Sequence, residues 1–205
     1  NLDVMQVHLA NADGWLATFT LEEEVRADAK SALQALLAQG LKIVMLTGDK
    51  LGAARLVAER LNIEELQADC TPQIKLNYMQ KLQKLGHKIV MVGDGLNDGP
   101  VLAGAHVSVA MGKAVPLAQA QSDFVIQGGQ LALLPQLINQ SRKTMRIVKQ
   151  NLIWAALYNA ICIPLAILGY LPAWLAGLGM AASSLFVILN ALRLSHIALP
   201  LKGLG

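Results

Sequence analysis

Charge is scarce in this chain. Of its 205 residues 15% are charged and 54% hydrophobic, and the net charge is a modest +3. That is too apolar for one ordinary soluble domain, and it offers no basic surface of the kind that binds nucleic acid. Cysteine is scarcer still: Cys70 and Cys162 stand far apart and no CxxC occurs, which argues against a disulfide framework and for a reducing, cytoplasmic setting. His8, His87, His106 and His196 show no metal-ligand spacing. The chain also lacks an initiator Met and a signal peptide, and is expected to be the carboxyl-terminal piece of a longer protein.

The deficit of charge is uneven. Charged residues thin out after Lys149, and two apolar runs follow, 152–171 and 174–192, neither containing Asp or Glu. Each is close to the ~20 residues that cross a bilayer as a helix. Arg142, Lys143, Arg146 and Lys149 precede the first run, and Arg193 and Lys202 follow the second. By the positive-inside rule both ends of this hairpin face the cytoplasm, with Tyr170 and Trp174 at the opposite interface.

The soluble part reads as α/β. Residues 4–8 and 15–21 alternate around the turn Asn11-Ala12-Asp13-Gly14, which predicts a hairpin. Residues 22–39 predict an amphipathic helix ended by Gly40. The strand 42–46 then runs into Thr47-Gly48-Asp49 and a helix over 51–61. The same grammar returns after a helix opened by Pro72-Gln73-Ile74-Lys75, where the apolar run 89–92 meets Gly93-Asp94-Gly95-Leu96-Asn97-Asp98-Gly99-Pro100. A weaker unit follows with a strand at 107–109, a short helix to Gln121 and a last strand at 124–126. Strand, glycine-rich polar loop and helix in repetition predict a parallel sheet with right-handed crossovers, buried on both faces. Ligands of such sheets bind at the carboxyl ends of the strands. Asp94 and Asp98 supply hard oxygen ligands of the kind Mg²⁺ and phosphate sites use. Thr47 and Lys75 add a hydroxyl and an ammonium expected on the same rim, which suits phosphoryl transfer.

These strings resemble the signatures of P-type ATPases, whose phosphorylation domain has the haloacid-dehalogenase fold. Gly93 to Pro100 matches GDGxNDxP, with Leu96 and Gly99 where the family commonly has isoleucine or valine and alanine. Thr47-Gly48-Asp49 matches TGD, and Lys75 matches the lysine of P-x-x-K. The resemblance implies that Thr47 holds a phosphoryl group, that Lys75 pairs with its oxygens, that Asp94 and Asp98 serve Mg²⁺, and that Asn97 orients the phosphorylated aspartate. That nucleophile belongs to a DKTGT sequence absent here, as are the HP and TGE motifs. The resemblance therefore covers the second half of the phosphorylation domain and the final membrane helices, and this stretch alone is not expected to hydrolyse ATP.

In the membrane runs Tyr158-Asn159 and Met180-Ala181-Ala182-Ser183-Ser184 resemble the YN pair and M-x-x-S-S of copper-transporting heavy-metal ATPases. The resemblance implies a Cu⁺ site using Tyr158, Asn159, Met180 and Ser184. A thioether with a phenol and an amide is a neutral, partly soft set that favours Cu⁺ over hard cations, whereas zinc and cadmium exporters of the family carry an aspartate there. Gly179-Met180, Pro172-Ala173-Trp174 and Asn190 to Leu194 look most like the bacterial subgroup that supplies copper for oxidase assembly.

The expected architecture is thus 1–21 as the end of a nucleotide-binding domain or hinge strands, 22–130 as a haloacid-dehalogenase-like, Rossmann-like phosphorylation domain, and 131–150 as a stalk helix. Residues 151–194 are expected as two transmembrane helices and 195–205 as a cytoplasmic tail. ATP, Mg²⁺, transported Cu⁺, a copper chaperone and a bacterial inner membrane follow as the implied cofactors, partners and place. Three alternatives stay open: a zinc or cadmium transporter, a membrane-tethered phosphatase of the same fold, which would need a DxDx[TV] nucleophile that the sequence lacks, and a non-catalytic fragment that binds metal or a partner.

Overall fold

A computed structural model of the chain describes residues 5–12, 14–21, 25–93, 98–112, 120 and 122–195. The chain divides into two compact units, Asn1–Pro135 and Gln136–Gly205.

In the first unit β1 (Met5–Asn11) and β2 (Gly14–Leu21) pair antiparallel, with Val7 opposite Phe19 and a register shift after Leu9. Helix α1 spans Ala29–Ala38 and buries Ala29, Ala32, Leu33 and Leu36. It begins later than the predicted 22–39. Residues 25–28 are not helical, because Arg26 and Asp28 bond to backbone near residue 130 instead. Gly40 at φ +78° closes the helix as a left-handed cap.

The predicted parallel strands form, but the described ones make two hydrogen-bonded sheets. In one, β3 (Val44–Leu46) pairs with β4 (Glu65–Gln67) after the crossover helix α2 (Leu51–Leu61). In the other, β5 (Val90–Gly93), β6 (Val107–Met111) and β7 (Phe124–Ile126) run parallel in that order. Helix α3 (Pro72–Lys84) links the two, and the short α4 (Gly99–Gly104) connects β5 to β6. Among the described strands β5 ends its sheet; Val90 is 40% exposed and 91–93 are half-buried, so the run is less covered than the expected strand buried on both faces. The best buried side chains, Met79, Val101, Leu102 and Val109, lie on α3, α4 and β6, where α3 packs on α4 and α4 on β6. The expected short helix before Gln121 lies mostly outside the described residues.

β4 carries no apolar run, and its place is secured by neighbours. Tyr78 of α3 donates its hydroxyl to the Glu65 carboxylate, and that bond pushes the phenol up to about 12. β7 is held by a reciprocal bracket. Ser108 donates its amide (2.8 Å) and hydroxyl (2.9 Å) to Asp123 Oδ2, and the Asp123 amide returns a bond to Ser108 Oγ at 3.0 Å.

The second unit is a helical pair. The predicted stalk and first membrane run are one unbroken helix, α5 (Leu133–Ile167), with Pro164 inside it, and α6 (Ala173–Leu192) follows. Both are long and apolar enough to cross a membrane.

Two predictions follow from this packing. A Cβ at Gly112 would lie 2.6 Å from the Ile126 carbonyl oxygen and 2.8 Å from the Gln127 Cα, both backbone atoms. Gly112→Ala should therefore destabilise the domain by about 1–3 kcal/mol in thermal unfolding. Gly104→Ala should lose less, since it meets only the flexible ends of Met79 and Leu76. The Ser108 bonds lower the Asp123 pKa below its ordinary value. A carboxylate depressed in the folded state stabilises above its unfolded pKa, so this contribution is complete at neutral pH and disappears as pH falls through the acidic range. Asp123→Asn should flatten that acid limb of the stability profile.

Candidate phosphate and metal site

The loop Thr47-Gly48-Asp49 leaves the carboxyl end of β3 and is stitched to the loop after β4. The Thr47 amide donates to the Gln67 carbonyl (3.0 Å), the Cys70 amide to the Thr47 carbonyl (2.9 Å), and the Asp69 amide to the Asp49 carbonyl (2.8 Å). Asp69 reaches this position with φ +52°, a left-handed conformation that aspartate tolerates better than most residues. Within the loop the Thr47 hydroxyl donates to the Asp49 carboxylate and accepts the Asp49 amide at 3.1 Å. Thr47 is thus held in one rotamer at the rim of the sheet, bonded to Asp49.

Lys75 arrives from the next loop. Thr71 caps α3, its hydroxyl accepting the Ile74 amide at 3.3 Å, and Pro72 occupies the first turn. Lys75 then stands one turn inside the helix, and its Nζ lies 2.9 Å from Asp98 Oδ1. Asp98 is the residue before α4, so this ion pair joins the helices that follow β4 and β5. Both side chains are mostly covered, 15% and 13% exposed, so solvent screens the pair weakly.

Gly93 makes the bend possible. A Cβ there would meet Asp98 Oδ2 at 3.0 Å and the Asp98 Cβ at 3.1 Å. The glycine lets the carboxylate fold back over the end of β5. Asp94 and Asn97 lie outside the described residues. The mostly covered Asp98 carboxylate at a strand end is nevertheless a hard oxygen donor of the kind a divalent cation takes, and Asp94 stands four residues before it in sequence. Among the described residues no cluster of three His, Cys, Asp or Glu side chains stands ready for a metal.

In the helical pair α6 turns Ala176, Gly179, Ser183, Val187 and Asn190 toward α5, half-buried among exposed neighbours. Tyr158 is in this seam: its hydroxyl donates to the Ala176 carbonyl at 3.4 Å, and a Cβ on Gly179 would lie 2.8 Å from that oxygen. Trp154 donates from Nε1 to Ser183 Oγ (3.0 Å) and stacks obliquely on Phe186 at 4.7 Å. Asn190 Nδ2 bonds Asn151 Oδ1 at 2.8 Å. Asn159, Met180 and Ser184 are exposed instead, and the Ser184 hydroxyl bonds back to the Met180 carbonyl at 3.0 Å. The hairpin by itself does not gather these four residues around one point.

Sequence reasoning missed Asp69 and Thr71 as parts of the site, and it placed Gly93 in the motif without its contact with Asp98. Thr71-Pro72 carried a readable cap signal, whereas the role of Gly93 depends on where Asp98 folds.

The description haloacid dehalogenase-like hydrolase matches residues 6–106, and the parallel strands with their rim loops define that class. The relatives narrow it. A copper-exporting P-type ATPase of Staphylococcus haemolyticus is 41% identical over 94% of this chain, which covers 24% of that protein. A probable copper-importing P-type ATPase A of Enterococcus hirae is 40% identical over 92% of the chain and 26% of its own length. The crystal structure of a zinc-transporting PIB-type ATPase in its E2.Pi state superposes with a TM-score of 0.81 at 34% identity, over 89% of this chain and 30% of that one. The chain belongs to the P-type ATPase family, and it spans about a quarter of the length of these curated relatives.

The role of Gly93 can be checked directly. Gly93→Ala should displace the Asp98 carboxylate and loosen its contact with Lys75. Thermal unfolding should report this as a loss of about 1–3 kcal/mol. An unchanged midpoint would show that the carboxylate does not depend on the glycine.

Proposed function

We propose that this chain is part of an ATP-driven Cu⁺ exporter working through a phospho-aspartate, and that it supplies the second half of the phosphorylation domain and two membrane helices. The observation that carries the reading is the Lys75–Asp98 pair following β4 and β5, with the Thr47 loop likewise at the carboxyl end of a parallel strand. In the reaction a carboxylate oxygen attacks the γ-phosphorus of ATP, the bond to ADP breaks, and water later cleaves the acyl phosphate. No DKTGT aspartate occurs in the chain, so the nucleophile comes from another segment of the longer protein. The sheet orders leave β3 and β5 each with an edge unpaired among the described strands, and a strand bearing that aspartate would pair there.

Each residue then has a task. Thr47, still held by the Asp49 amide, would turn its hydroxyl hydrogen from the Asp49 carboxylate to the phosphoryl group. Lys75 offsets charge on the phosphoryl oxygens, and Asn97 orients the phosphorylated side chain. Asp98 with Asp94 would hold Mg²⁺, which supplies further charge neutralisation when bound. ATP itself would be bound mainly by another domain. Tyr158, Asn159, Met180 and Ser184 would contribute to a Cu⁺ site completed by other helices, since three of them face outward from this pair.

Copper is favoured over zinc because neither membrane helix carries a carboxylate, although one structural relative is named as zinc-transporting. Basic residues at 142–149 and at 193 support a cytoplasmic location for both helix ends in a bacterial inner membrane. A copper chaperone would be the partner that delivers the ion.

Phosphoenzyme formation from labelled ATP tests this. The longer ATPase should label in the presence of Cu⁺, and Met180→Ala should weaken the labelling. Labelling that follows Zn²⁺ instead would overturn the copper assignment.

A further inference from the structure

Outside the phosphate site, the segment between β7 and α5 is held by charges that the chemistry above does not use. The chain passes there through two consecutive glycines in the left-handed region, Gly128 at φ +79° and Gly129 at φ +69°. Only glycine adopts that conformation twice in succession without strain. A Cβ at Gly128 would meet nothing within 4 Å, but one at Gly129 would stand 2.8 Å from Arg26 Nη1. Arg26, far away in sequence, donates from that nitrogen to the Gly129 carbonyl at 2.6 Å. Asp28 Oδ2 accepts the Ala132 amide at 2.9 Å. At the other end of α1, Gln39 Nε2 donates to the Pro135 carbonyl at 3.1 Å.

Helix α1 is therefore bonded at both ends to residues 129–135, the run that becomes the first turn of α5. Two of the three bonds involve a formal charge, and all are at least partly buried, which makes them stronger than neutral surface bonds. The same helix leads through Gly40 into β3, whose last residue precedes Thr47. One rigid element thus touches the phosphate loop through one connection and the head of α5 through the other.

We infer that Arg26 and Asp28 are positioning residues that hold the double-glycine turn in one shape, so that a shift of the Thr47 loop is passed to the head of α5. With these bonds cut, the two glycines would absorb the shift. The inference rests on the phosphoenzyme reading above.

The test uses the full-length ATPase with Arg26→Ala, Asp28→Ala and Arg26→Lys. Labelling by inorganic phosphate reads the phosphate site alone, while Cu⁺ stimulation of labelling from ATP reads its link to the membrane helices. The expected result is phosphate labelling within about two-fold of wild type and Cu⁺ stimulation reduced about ten-fold in both alanine variants. Arg26→Lys should recover part of it, because one donor suffices for the Gly129 carbonyl. Hydrogen exchange should show the Ala132 amide losing protection in Asp28→Ala while the Thr47 amide keeps its own. Stimulation retained in the alanine variants, or both labelling reactions falling together, overturns the inference alone. A wild type whose labelling no metal stimulates overturns the functional reading and this inference with it.

Discussion

The ion pair between Lys75 and Asp98 joins helices that grow from two separate sheets, and the geometry around it follows from that junction. Lys75 reaches Asp98 because Thr71 and Pro72 fix where α3 starts. Asp98 faces back because Gly93 has no side chain to obstruct it. The helices are further held where Gln83 donates to the Gly104 carbonyl and where Met79 and Leu76 close on Gly104. Two opposite charges with little solvent around them are stable as a pair, and each becomes a liability if the other leaves. A phosphoryl group that drew Lys75 away would leave Asp98 in need of a cation, which links anion and metal binding at one place.

The helical pair obeys different rules. Apolar faces gain nothing from one another in lipid, so association depends on small residues and on hydrogen bonds across the seam. Gly179 lets Tyr158 approach closely, and the Asn151–Asn190 and Trp154–Ser183 bonds fasten the helices along their length. Asn159, Met180 and Ser184 remain outside that seam, available to neighbours beyond this pair.

Much of this was legible in the sequence because the informative residues are contiguous. The strings that start at Thr47 and Gly93 each follow an apolar strand, and Pro72 to Lys75 opens a helix, so local pattern suffices to find them. β4 was not legible: Glu65-Leu66-Gln67 carries one apolar residue, and its strand character comes from pairing with β3 and from Tyr78. The late start of α1 was hidden for a similar reason, since Arg26 and Asp28 read as a helix's polar face until their partners a hundred residues away are known. The separation of the strands into two sheets was invisible too, because periodicity reports burial and not which strand lies beside which. The exposed placement of Met180 and Ser184 depends on how α6 is rotated against α5, which their spacing leaves undetermined.

The edges that β3 and β5 leave unpaired among the described strands have a consequence for handling the chain alone. Natural sheets blunt an edge with lysine, proline or a bulge, but Val44-Met45-Leu46 and Val90-Met91-Val92 are uninterrupted apolar stretches. Expressed by itself, the domain would present two adhesive borders to other copies of itself. Its solubility would then depend on a complementing peptide as much as on detergent around the helices.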